Sequence, residues 1–95
     1  MTKSILADDF ENRCYICGTE GRMEEHHIFG SVACRHKSER LGLKVHLCRK
    51  CHSYLHDDPD GYKIKDYLHQ VGQKVYEDQI GSRQQFIEEF IRSYL

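Results

Sequence analysis

The sequence predicts an α+β fold: a small metal-stapled core of two short strands and a helix, followed by two amphipathic helices. Three observations predict it. Four of the five cysteines fall into two Cys-x-x-Cys pairs, Cys14/Cys17 and Cys48/Cys51. Residues Leu43 to Leu47 alternate strictly between apolar and polar. From Ile64 onward the apolar residues recur at helical spacing. With 95 residues, 39% hydrophobic and 31% charged, the chain has material for one domain and only a thin core, so a staple is expected.

Residues 1–12 show no sustained period and read as a lead-in. Residues 13–58 form the stapled core, which opens on Cys14-Tyr15-Ile16-Cys17-Gly18. Two cysteines separated by two residues can face one ion from a tight turn, and Gly18 supplies the backbone freedom after the second ligand. A strand is expected within 22–29. A loop should follow from Gly30 and Ser31 to about Gly42. The second strand, 43–47, buries Leu43, Val45 and Leu47 and turns Lys44 and His46 the other way. Cys48-Arg49-Lys50-Cys51 follows at once, and His52 to His56 begins a helix that Pro59 and Gly61 stop.

Residues 60–95 form the helical part. One helix carries the stripe Ile64, Tyr67, Leu68, Val71 and Val75, and Gly81 ends it. Ser82 with Gln85 is a capping box for a second helix, with the stripe Phe86, Ile87, Phe90, Ile91 and Tyr94. These helices read as scaffold that supplies the missing core. No apolar run approaches the roughly 20 residues that span a bilayer, and no leader is evident, so a soluble, cytoplasmic protein with reduced thiols is expected.

Four thiolates complete a tetrahedral shell, so Cys14, Cys17, Cys48 and Cys51 are the expected ligands of a structural Zn²⁺, with His52 as an alternative to Cys51. A thioredoxin-like dithiol would leave one pair unexplained. Cys34 is unassigned, either a small buried residue or a spare thiol. Among seven histidines, His52 and His56 lie four apart on one helix face and can share an ion, with His26 as a third ligand from the strand. His27, its neighbour, should point away and stay free as a base. Three imidazoles without a carboxylate suit Zn²⁺, Ni²⁺, Co²⁺ or Mn²⁺ better than Mg²⁺, although water can complete a Mg²⁺ shell. His36, His46 and His69 show no partner pattern.

The net charge of −1 argues against a nucleic-acid partner until the chain is divided. Residues 1–25 carry −3, residues 35–50 carry +5 and residues 57–95 carry −3. The basic block, which includes Arg35, Lys37, Arg40 and Lys44, lies inside the loop that the two cysteine pairs would close. On charge alone this block reads either as a solvated loop or as a surface that attracts a nucleic-acid backbone.

Glu25-His26-His27-Ile28-Phe29, followed by Leu47-Cys48-Arg49-Lys50-Cys51-His52 and His56, resembles the HNH, or ββα-metal (His-Me finger), nuclease superfamily in its zinc-stapled version. Arg35, Ser38-Glu39, the stretch Gly42 to Cys48 and the Tyr94-Leu95 ending resemble its small phage and prophage members. The resemblance implies His26, His52 and His56 as ligands of one catalytic divalent ion and His27 as general base. It implies hydrolysis of DNA to 5′-phosphate and 3′-hydroxyl ends. We add Arg35 as a phosphate clamp, with Lys37, Arg40 and Lys44 attracting the backbone. A homodimer, or a phage assembly partner such as a packaging motor, is a further expectation. A non-catalytic zinc-stapled binding or accessory module is the alternative. The middle residue of the HNH pattern falls on Leu43, and the only Asn is Asn12, so His36 or His46 would have to stand in.

Overall fold

The computed structural model describes residues 2–95. Six elements follow one another: β1 (Glu24–His27), α1 (Arg35–Leu41), β2 (Lys44–Leu47), α2 (Arg49–Asp57), α3 (Gly61–Gln79) and α4 (Arg83–Phe90). The two strands pair antiparallel, with Glu24 opposite Leu47, Glu25 opposite His46, His26 opposite Val45 and His27 opposite Lys44. Because side chains alternate across a strand, this register sends Glu24 and His26 to one face with Leu47 and Val45. Glu25 and His27 go to the other face with His46 and Lys44.

One element was not anticipated. The basic stretch expected to be a loop contains α1, seven residues with no apolar period, ended by Gly42 in the left-handed region at φ 73°. Gly42 is required there twice over, since a Cβ would also lie 2.4 Å from the Lys3 carbonyl oxygen. The same contact ties down the lead-in, where Ile5 N–H donates to Gly42 O and Leu6 is buried. The first strand is also shorter than residues 22–29.

In β2 the alternation holds for Leu43, Val45 and Leu47, all fully buried, but not for Lys44, which is 1% exposed. The expectation that Lys44 faces solvent is therefore corrected. Its burial follows from α1, which crosses its face and brings Glu39 within 3.0 Å of the ammonium, while Glu25 Oε2 lies at 3.3 Å. Burial alone would lower the Lys44 pKa, yet the two carboxylates hold it above its usual value.

Helices α3 and α4 complete the core through Leu68, Tyr76, Phe86 and Phe90. The Ser82–Gln85 capping box forms as expected. Two stripe residues fall outside the core: Tyr67 is half exposed, and Ile91, beyond the end of α4, is 73% exposed. Tyr76, Gly72 and Gln73 take buried places instead. At Gly72 helix α3 closes onto the back of the site, since a Cβ there would meet Ile28 Cγ2 at 2.8 Å and the Phe29 ring at 3.0 Å. No helix among the described residues is long and apolar enough to cross a membrane.

Candidate metal centres and the hollow between them

The two cysteine pairs converge as their spacing requires. The sulfurs of Cys14, Cys17, Cys48 and Cys51 lie within 4.8 Å of one another and can hold a structural metal ion. Both pairs use the same turn: Cys17 N–H points to Cys14 Sγ at 3.5 Å, and Cys51 N–H to Cys48 Sγ at 3.4 Å. Such N–H···S contacts favour thiolate over thiol. Thr19 brings the Cys17 pKa down to about 6, by hydrogen bonds from its side chain and its backbone. Cys48 is also the N-cap of α2, so this cluster fixes where that helix starts and where its histidines point. His52 is not among the four and belongs to the second cluster. Cys34 is buried and lines the hollow beside that cluster.

The second cluster joins β1 to α2. Ring nitrogens of His26, His52 and His56 approach within 4.8 Å of one another. Helical spacing places His52 and His56 on one face, 4.9 Å between ring centroids. The strand pleat delivers His26 to the same point. Burial first, then the neighbouring imidazoles His52 and His56, push the His26 pKa down to about 3. It is therefore a neutral ring with a free lone pair at neutral pH. His52 Nδ1 is hydrogen-bonded to Glu24 Oε1 at 2.8 Å, which leaves Nε2 for the cluster and fixes the ring. Glu24 carried no signal in the sequence beyond its place in the expected strand, close to the histidine pair.

His27 points to the opposite face, as the pleat demands, but it is not free. Its Nε2 lies 2.9 Å from Glu39 Oε1. Hydrogen bonds from His27 and then Lys44 hold the Glu39 carboxyl at a pKa of about 2. A carboxylate this acidic is an acceptor only, so His27 Nε2 is the donor of this bond and Nδ1 is the ring nitrogen that Glu39 leaves uncommitted. Glu39 was missed as a functional residue because the segment that carries it showed no helical period.

Leu43 offers no side-chain donor, and the turn after β1 is held by Ser38, whose buried hydroxyl accepts from Phe29 N–H at 3.0 Å. Neither histidine named as a stand-in takes that place. His46 is engaged with Asp9 through Nδ1 at 2.6 Å, and His36 is exposed on α1.

A comparison with protein-family models, curated proteins and solved structures gives no match to this chain. What the cluster can do rests on its geometry.

A hollow of ≈ 240 Å³ is lined by His26, His27, His52, His56 and Arg35, with Glu25 and Gly30. Arg35 is exposed and forms no ion pair among the described residues. The rest of the basic block is differently placed. Arg40 pairs with the Glu89 carboxylate, Lys37 donates to the Glu89 carbonyl oxygen, and Lys44 is spent on Glu25 and Glu39. Of the four cations singled out in the sequence, Arg35 alone faces the histidines. His69, without a partner pattern in the sequence, is half-buried and stacked on Phe29 at 5.4 Å and 9° between planes. Burial pushes its pKa down.

Proposed function

We propose that the chain is a metal-dependent DNA endonuclease of the HNH type, hydrolysing phosphodiester bonds to leave 5′-phosphate and 3′-hydroxyl ends. The observation that carries this reading is the meeting, in one hollow, of a three-imidazole cluster, a carboxylate-oriented histidine and an unpaired arginine. Phosphodiester hydrolysis needs these parts together, since water must be activated while negative charge on the phosphate is neutralised.

The donor set fits a divalent ion. His26, His52 and His56 would hold it, His26 as a neutral ring and His52 in the orientation that Glu24 imposes. Imidazole donors favour Zn²⁺, Ni²⁺, Co²⁺ or Mn²⁺, and Mg²⁺ would need water to fill its shell. When bound, the ion supplies Lewis-acid stabilisation of charge on the scissile phosphate and on the departing 3′ oxygen.

The remaining steps belong to side chains. His27 receives a proton from water at Nδ1 while Glu39 keeps Nε2 protonated and the ring in place, a division of labour familiar from carboxylate–histidine pairs. The imidazolium formed in that step gains a favourable interaction with the Glu39 carboxylate. Arg35, on the rim of the same hollow, binds a non-bridging phosphate oxygen. The structural metal held by the four cysteines fixes α2 and hence His52 and His56.

Nicking of supercoiled plasmid with added Mn²⁺, Ni²⁺ or Mg²⁺ tests the reading. Wild type should nick, and His27→Ala should lose about 10²- to 10⁴-fold in rate while DNA binding survives. Equal rates would remove His27 as base. Absence of nicking with every metal would favour a zinc-stapled binding module without catalysis.

A further inference from the structure

The C-terminal part was read above as scaffold, yet its last residues reach the histidines. A second hollow of ≈ 330 Å³ continues from the first, with His26, His27 and His56 on one side and Lys65, His69 and Tyr94 on the other. Three features show that the tail is held there by design of the chain. Ile91 has φ 81°, a left-handed conformation strongly disfavoured for a β-branched residue, and its side chain is 73% exposed, so no burial of its own repays the strain. The turn it makes redirects residues 92–95 back toward α3. There the fully buried Gln73 accepts from Tyr94 N–H at 2.6 Å and donates to Ser93 Oγ at 3.0 Å. Tyr94 is thereby set 4.4 Å from the His69 ring centroid and 5.6 Å from that of Phe29. One turn before His69 stands Lys65, which forms no ion pair or side-chain hydrogen bond among the described residues.

We propose that Lys65, His69 and Tyr94 form a substrate subsite for the nucleotide next to the scissile phosphate. Lys65 binds the flanking phosphate, and the Tyr94–His69 face packs against the sugar and base. The proposal rests on the nuclease reading and adds a second wall to it. A DNA strand crossing the histidine cluster must continue past His56, and the wall it meets there combines an unneutralised cation with an aromatic face. That pairing suits a polyanion with stacking bases and does not depend on base identity. An active site built on residues 13–58 alone would have only the Arg35 side of the hollow.

The test uses the full chain. Duplex DNA binding is measured against salt in the slow-cleaving His27→Ala background, and nicking kinetics in the wild-type background. Lys65→Met, which keeps the stem, should weaken binding about 5- to 10-fold at 0.1 M salt and reduce the salt slope by ~0.9, with Lys65→Arg restoring both. Tyr94→Leu should raise the half-saturating DNA concentration about 5- to 10-fold with kcat within about twofold, and Tyr94→Phe should behave as wild type. Co²⁺ titration of the histidine cluster should be unchanged in all four variants, as a collapsed fold would not allow. Wild-type nicking with unaltered salt slope in Lys65→Met and unaltered saturation in Tyr94→Leu overturns the subsite alone. A wild-type chain that neither binds nor nicks DNA overturns the nuclease reading and the subsite with it.

Discussion

Glu39 Oε1 lies 2.9 Å from His27 Nε2, and the same carboxylate receives the buried Lys44 ammonium through Oε1 at 3.2 Å and Oε2 at 3.0 Å. One carboxylate on a short helix thus orients a histidine on β1 and neutralises a lysine on β2. Under the proposed function it is a positioning residue, acting on substrate only through His27.

Glu39→Gln keeps a hydrogen-bonding side chain but removes the charge and allows either amide orientation toward the imidazole. Nicking should fall about 10- to 10²-fold, less than in His27→Ala, with DNA affinity unchanged. A full-rate Glu39→Gln enzyme would remove the pairing from the mechanism.

The same carboxyl makes an acid-stability prediction. Its pKa falls from an ordinary 4.5 to about 2 on folding, because His27 and Lys44 favour the charged form. A depressed carboxyl stabilises the fold fully above the unfolded-state value and ceases to do so as pH drops through the folded-state value. The difference in thermal midpoint between wild type and Glu39→Gln should accordingly be largest above pH 5 and shrink between about pH 4.5 and pH 2. A difference independent of pH across that window would mean that the carboxyl is not ionised in the fold.

The cysteine cluster separates sharply from Cys34. Cys48→Ser removes one of the four thiolates while leaving a side chain that can still cap α2, so zinc content should drop below one equivalent per chain and the cooperative melting transition should be lost through the metal site alone. Cys34→Ala, at a buried site outside the cluster, should retain zinc and melt with a modest loss of about 1 kcal/mol. Atomic-absorption stoichiometry alongside thermal melts reads both.

Lys44 and Arg35 belong to the same basic block and should behave oppositely. Lys44→Met strips a buried cation from two carboxylates, which are themselves about a third exposed, so a loss of about 1–3 kcal/mol is expected in urea unfolding, with the DNA salt slope unmoved. Arg35→Gln, at an exposed site, should leave stability within about 0.5 kcal/mol and lower the salt slope by ~0.9. If Lys44→Met changed the slope and Arg35→Gln did not, the placement of positive charge at the hollow would be inverted.

Much of this site was legible in the chain. Cysteine pairs, a His-x-x-x-His helix and two adjacent histidines in extended backbone are local patterns, and local geometry alone decides which way each side chain turns. For that reason His26 and His27 part to opposite faces as their adjacency implies, and Ser82–Gln85 caps α4. The capping bonds join residues three apart, so they need nothing from the rest of the molecule.

The partners were not legible. Glu39 finds His27 across 12 positions, Glu24 finds His52 across 28, and Tyr94 N–H finds Gln73 across 21. Nothing periodic marks those residues, because a single polar contact leaves no repeat for a sequence to display. The +5 block is the clearest case. Sequence counted its charge correctly, but charge is a sum, and only the pairing of β1 with β2 and the packing of α1 and α4 determined that Glu25, Glu39 and Glu89 would neutralise Lys44 and Arg40 while Arg35 remained open. Sequence alone therefore determined which donors pair locally, Cys14 with Cys17, Cys48 with Cys51 and His52 with His56, since that spacing acts within one turn or one helix face, while folding brought the pairs and His26 together. Tertiary structure decided which bases and cations are held, spent or free, since pairing energies act between elements that meet only on folding.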